Sequence, residues 1–194
     1  MGANMHGTFT TTEKGTRAQR VLILMPCSGK KLSYAHQAFQ LYQGPMWRTL
    51  ANHIGRLNYR NVFVLSGKYG FIGAMEHIQP YEARLTKANA DRLITRGVHM
   101  VNDHHGALGP RDGAGPPPAE VIRPYAHKDQ LPYTRVICAG AGDYRRVFEA
   151  FIPQLQDAGI IARDATIDHV HGGIGEQRAQ LGAWLRAANG QEDG

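Results

Sequence analysis

Three apolar runs without polar alternation mark the chain, at residues 21–25, 62–65 and 135–139, the last opening on Arg135. Such continuous runs are the pattern of strands covered on both faces in a parallel sheet. Pro26 ends the first and Gly140 the third, and residues 165–170 form a fourth candidate strand. Between them, apolar positions recur at helical spacing. Residues 35–57 place Phe39, Tyr42, Met46, Leu50 and Ile54 in that spacing, with a break predicted near Gly44-Pro45. Helices are also predicted over residues 86–101 and 144–158, the second interrupted at Pro153. A last helix spans residues 175–188, with Ile174, Leu181, Trp184 and Leu185 on one stripe. Strands alternating with helices predict an α/β fold: a single three-layer domain with a central, mainly parallel sheet flanked by helices.

Residues 104–130 break this rhythm. They hold Gly106, Gly109-Pro110, Gly113, Gly115 and Pro116-Pro117-Pro118, then Arg123-Pro124-Tyr125 and His127-Lys128. An insertion of this kind reads either as a functional lid or as a disordered connector. Residues 1–19 read as a flexible polar tail, 20–188 as the domain and 189–194 as a C-terminal tail.

Charge and cysteine content narrow the picture. The chain of 194 residues has 22 Lys and Arg against 16 Asp and Glu, a formal net charge of +6 that suits polyanionic partners without requiring them. Two cysteines, Cys27 and Cys138, argue against a disulfide scaffold or a cysteine-rich zinc site, and no metal or other cofactor is expected. The N-terminal residues lack the apolar segment of a secretory signal, and no run approaches the roughly 20 apolar residues of a membrane helix. A cytoplasmic protein without a membrane partner is expected, with a monomer as the default.

Four polar turns follow the predicted strands. After the second strand comes Ser66-Gly67-Lys68-Tyr69-Gly70, then Pro80-Tyr81-Glu82. This places a hydroxyl, backbone N–H groups, an ammonium and aromatic rings at a sheet's carboxyl edge, where ligands of open α/β sheets bind. Ser66 and Lys68 are expected to meet an anion, and Tyr69 and Tyr81 to stack on a base or to fill the edge of the core. After the first strand, Pro26-Cys27-Ser28-Gly29-Lys30-Lys31 offers N–H groups and two ammonium groups to a phosphate, or is an ordinary solvated turn. After the third, Gly140-Ala141-Gly142-Asp143-Tyr144-Arg145-Arg146 places a carboxylate where a helix begins. Asp143 there is a helix cap, or a group that stabilises a sugar cation or activates water in glycosidic cleavage. The last turn, His169 to Arg178, opens the final helix, whose N-terminus at Gly173 can receive a phosphate with Arg178 beside it. Its two histidines match no metal-ligand spacing.

The run Leu65 to Gly70 followed by Ile78-Gln79-Pro80-Tyr81 and Leu85 resembles the signature of the YaaA-like peroxide-stress proteins, and Asp143-Tyr144 resembles their later acidic-Tyr element. Small uncharacterised bacterial and phage domains are similar over about residues 21–185. They match at Cys27-Ser28, Ser66 to Gly70, Pro80-Tyr81 and the closing glycine-containing helix start from Gly173 to Leu181. Pro26-Cys27-Ser28-Gly29-Lys30-Lys31 is also similar to an element in the core domain of archaeosine synthase, placing Lys31 on that domain's functional lysine. Leu32-Ser33-Tyr34 and His36 do not match the elements that follow there.

These resemblances imply DNA or modified bases as the target. The expectation is a nucleic-acid base-processing enzyme, foremost a DNA N-glycosylase that excises a modified or hypermodified base in genome defence or repair. Asp143 is then the catalytic carboxylate. Cys27, Ser28, Lys30, Ser66, Gly67, Lys68, Tyr69, Tyr81 and Tyr144 contact the substrate. Arg145, Arg146, Gly173 and Arg178 contact the nucleic-acid backbone. Two other readings are a non-enzymatic DNA-binding protein that shields DNA under stress, and a tRNA or nucleotide base-modification enzyme using Lys31 as its nucleophile. DNA is the expected partner, with RNA left open.

Overall fold

A computed structural model describes residues 20–96, 117–126 and 131–190. The three apolar runs form β1 (Val21–Pro26), β3 (Val62–Ser66) and β6 (Tyr133–Cys138). With β4 (Gly70–Gly73) and β7 (Ile161–His169) they build a five-stranded sheet in the order β4-β3-β1-β6-β7. All neighbours are parallel except the β3–β4 hairpin. The chain is thus a three-layer α/β domain with a mainly parallel sheet.

The lack of alternation in β1 has a simple cause. Successive side chains point to opposite faces, and both faces are covered. Val21, Ile23 and Met25 pack against α1 (Ala38–Leu41), α2 (Pro45–His53) and α6 (Ile174–Ala188). Leu22 and Leu24 face α3 (Lys87–Arg96), α4 (Pro118–Ile122) and α5 (Asp143–Asp157). A small second sheet pairs β2 (His36–Gln37) with β5 (His77–Ile78) in antiparallel fashion.

Several expectations change. The first long helix is broken more deeply than the Gly44-Pro45 signal implied, into β2, α1 and α2. Pro153 lies inside α5 without ending it. Ile174 is exposed, while Leu181 and Leu185 of its predicted stripe are buried. Residues 117–126 of the expected lid or connector contain α4, whose Ala119, Val121 and Ile122 are buried. Tyr125 beyond it packs edge-on against Phe63 and donates a hydrogen bond to Glu76. Pro118 opens α4 at a position where its missing N–H needs no partner. The rest of the insertion, the N-terminal tail and residues 191–194 lie outside the described residues. No helix among the described residues is long and apolar enough to cross a membrane.

The strand order fixes where a crevice opens. From β1 the chain moves through α2 to β3 on one side, then returns past β1 to β6 on the other. The turns after β1 and β6 therefore diverge to opposite faces of the sheet, and the gap between them is a topological switch point.

Candidate functional site at the switch point

The switch point holds a cleft of about 690 Å3, within the usual size range of small-molecule sites. Its walls are Cys27, Ser28, Gly29 and Lys31 from the turn after β1, residues 82–85, and Tyr144 in the first turn of α5. Cys27 Sγ and the Tyr144 hydroxyl meet at 3.1 Å across the crevice. Burial, and next the Cys27 sulfur, hold the Tyr144 phenol above its ordinary range, so it remains a neutral hydroxyl. Cys27 is further tied to β3 by its N–H, which donates to the Leu65 carbonyl at 2.9 Å.

The Ser66–Gly70 turn does not line this cleft. It is the turn of the β3–β4 hairpin, with Ser66 paired to Gly70. Ser66 is only 1% exposed, and its Oγ accepts from the N–H groups of Lys68 and Tyr69 at 3.2 and 3.0 Å. The N–H groups expected to face an anion are therefore already used. Ser66 Oγ also lies 2.6 Å from the Tyr81 hydroxyl, which lies 2.8 Å from that of Tyr42. Tyr69 and Tyr81, expected to stack on a base, are 4% and 7% exposed and pack edge to face at 5.3 Å. The Tyr69 hydroxyl bonds both backbone groups of Gln79 at 3.2 Å. These rings hold the chain from Gln79 to Tyr81, and so carry the strap of residues 82–85 that forms one wall of the cleft.

Gly67 completes that support. A Cβ there would stand 2.6–2.8 Å from the backbone of Ala83, Arg84 and Leu85. The strap lies directly on the hairpin turn, and only glycine leaves the room. On the opposite wall Gly44 lies close to Ser28, where an added Cβ would meet the movable Oγ at 2.3 Å and the Cβ at 3.1 Å.

Of the candidate catalytic groups, Lys31 lines the cleft, and its Nζ sits 4.3 Å from the centroid of the Tyr81 ring, a cation–π arrangement. Asp143 lies elsewhere. It is the first residue of α5, with Gly142 rather than Asp143 at the cap position. Its carboxylate pairs with Arg146 at 2.7 Å, and Arg146 also holds Asp91 at 2.6 Å. Arg145 pairs with Glu149 at 2.7 Å. These arginines, expected on a nucleic-acid backbone, are engaged by carboxylates along and beside α5. Lys30 is exposed outside the lining, and the Gly173 N–H donates to Glu176. Arg178 lines a separate groove between α2 and α6.

Two charged lining residues, Glu82 and Arg84, are not among those the sequence pattern singles out. Glu82 directly follows Pro80-Tyr81, so its neighbourhood was visible; the strap that turns it into the cleft was not. Glu82 is the sole carboxylate among the described lining residues, beside the cations Lys31 and Arg84. The described residues contain no group of three or more His, Cys, Asp or Glu able to hold a metal ion.

A family model described as a family of unknown function (DUF6884) matches residues 22–112. That stretch carries Cys27, Ser28, Lys31, the hairpin turn and the strap, and ends before Tyr144. No curated protein and no solved structure matches the chain.

Two outcomes are expected. Gly67→Ala must displace the strap backbone and should lower unfolding stability by about 1–3 kcal/mol, read as a lower urea midpoint; an unchanged midpoint would contradict the close packing. Burial first, then the carboxylates of Glu149 and Asp168, push the Cys138 thiol up to about 12. At pH 8 roughly one Cys138 in 10⁴ is then a thiolate. Iodoacetamide should label Cys27 in the folded protein and spare Cys138 until denaturant is added, as read by peptide mass spectrometry.

Proposed function

We propose that this protein is a nucleic-acid base-processing enzyme, and specifically an N-glycosylase that removes a modified base. The observation that carries the reading is the switch-point cleft, whose described lining brings together one carboxylate residue, Glu82, two cationic residues, Lys31 and Arg84, and a neutral phenol, Tyr144. Hydrolysis of an N-glycosidic bond needs such a set: a carboxylate for the water and the sugar cation, and cations for phosphate and leaving group. The net charge of +6 suits a polyanionic substrate.

In this reading the target nucleotide is turned out of its stack into the cleft. Arg84 holds a flanking phosphate, and Cys27, Ser28 and Tyr144 border the base. Glu82 takes a proton from the attacking water, whose oxygen bonds to C1′ as the C1′–N bond breaks. The electron pair of that bond goes to the base nitrogen, which takes a proton from the Lys31 ammonium. Glu82 returns its proton to Lys31 through solvent, so one water is consumed and one free base released. The catalytic carboxylate is thereby moved from Asp143, held by Arg146, to Glu82 in the cleft.

Incubation with a panel of DNAs carrying modified bases, followed by mass spectrometry of released small molecules, tests this. Wild-type protein should release a free base. Glu82→Gln should slow release about 10²–10⁴-fold, while Asp143→Asn should stay near the wild-type rate. Binding without release from any substrate would overturn the glycosylase reading in favour of a shielding protein. A borohydride-trapped adduct lost in Lys31→Ala would overturn the attack by water in favour of displacement of the base by the Lys31 amine, with an imine at C1′ that water then hydrolyses.

A further inference from the structure

On the outer face of the α1, α2 and α6 layer, α2 and α6 enclose a groove of about 420 Å3 that is separate from the cleft. Both helices start at the sheet's carboxyl edge. Gly44, which caps α2, packs against Ser28 of the cleft wall, and α6 follows β7 directly. They run side by side to the opposite edge, where Asn189 beyond α6 donates to the His53 carbonyl at 2.9 Å. The groove therefore extends away from the cleft along the helix axes.

Its charged lining is basic: Arg178 and Arg186 from α6 and His53 from α2, with no carboxylate among the described lining residues. The arrangement is built rather than incidental. Arg178 Nε donates to Oγ1 of Thr49 at 3.1 Å, and Thr49 is 5% exposed, its own hydroxyl donating to the Pro45 carbonyl at 3.2 Å. The guanidinium stem is thus fixed to the buried side of α2. At Gly182 an added Cβ would stand 3.3 Å from both Arg186 Nη1 and the His53 ring. The missing side chain lets these two groups converge in the groove.

The spacing suits a chain of phosphates. The eight positions from Arg178 to Arg186 correspond to about 12 Å of helix. One strand of a duplex places a phosphate about every 3.4 Å along its axis, so the two guanidinium groups reach phosphates three to four apart. The arginines of α5 are held by Asp91, Asp143 and Glu149; Arg178 is held by a neutral hydroxyl and keeps its charge uncompensated by that contact.

The geometry points to the α2–α6 groove as the track for the phosphodiester backbone of a nucleic acid whose target base occupies the switch-point cleft. This rests on the base-processing reading for the base, and on the groove alone for the backbone. Phosphate contacts of this kind set position and affinity, not sequence.

Anisotropy titrations of labelled duplex DNA, single-stranded DNA and RNA of one sequence, over a range of salt concentrations, test it. Wild type should bind at least one probe with a steep salt dependence, the tightest identifying the natural backbone. Arg178→Ala and Arg186→Ala should each flatten the plot of log affinity against log salt by about 1, equally for unrelated sequences. Arg178→Lys, which keeps the charge and loses the Thr49 geometry, should retain the wild-type slope. Arg163→Ala, on β7 and in an exposed pair with Asp157 at the end of α5, should do the same and reports on folding together with circular dichroism. Wild-type affinity and slope in a folded Arg178→Ala/Arg186→Ala double variant would overturn the groove, even if base release persists. Loss of slope in that variant with no base released from any substrate would instead leave the groove standing and remove the glycosylase. Failure of wild type to bind any probe would overturn both.

Discussion

Three buried hydroxyls in a row, Ser66, Tyr81 and Tyr42, join the parts of the molecule that bear on function. They tie the end of β3 to the start of the strap and to the end of α1, over gaps of 2.6 and 2.8 Å. Ser66 is held on its other side by two N–H groups of the hairpin turn. Burial first keeps the Tyr42 and Tyr81 phenols well above their ordinary range, with Cys27 adding to it at Tyr42 and Tyr42 and then Cys27 adding to it at Tyr81. They act as neutral hydrogen-bonding groups at all physiological pH values. In so dry a place a hydroxyl that loses its only partner costs about 1–3 kcal/mol, and Tyr81, which bonds on both sides, is the member whose loss touches both neighbours.

What it sets is the course of residues 82–85. Tyr81 is anchored below by Ser66 and Tyr42, Tyr69 holds Gln79, and Gly67 lets the strap lie on the hairpin turn. The strap then closes one side of a gap that the β3-β1-β6 order has already opened. Lys31 reaches the same place by resting on the Tyr81 ring. Fold topology supplies the crevice, and the hydroxyl chain supplies a wall for it.

Much of the fold was legible because the apolar runs of β1, β3 and β6 are covered on both faces and so show no alternation. The alternation of strands and helices followed from the same runs. What stayed hidden depends on contacts between distant segments. The four residues of β4 are apolar and glycine-flanked, and nothing local says that the chain folds back on β3. The helix α4 was concealed by its Gly/Pro-rich surroundings, although Ala119, Val121 and Ile122 are core residues. At the site, Cys27, Ser28, Lys31 and Tyr144 were identified from turns at strand ends. Ser66, Tyr69 and Tyr81 stood out too, as contacts to a ligand or, for the two tyrosines, as filling for the core edge, because hydroxyls and rings beside glycines are also what a tightly packed internal turn requires. Glu82 needed the strap's path, which only the packing on Gly67 reveals.

The central claim is that ligand enters the switch-point cleft and that the Ser-Gly-Lys-Tyr-Gly turn supports it from behind. Amide chemical-shift mapping while a nucleoside monophosphate is titrated into the protein tests this most directly. The account predicts the largest shifts at residues 27–31, 82–85 and Tyr144, with Lys68 and Tyr69, whose N–H groups are bound by Ser66, nearly unmoved. Shifts centred on residues 66–70, with 82–85 silent, would contradict it.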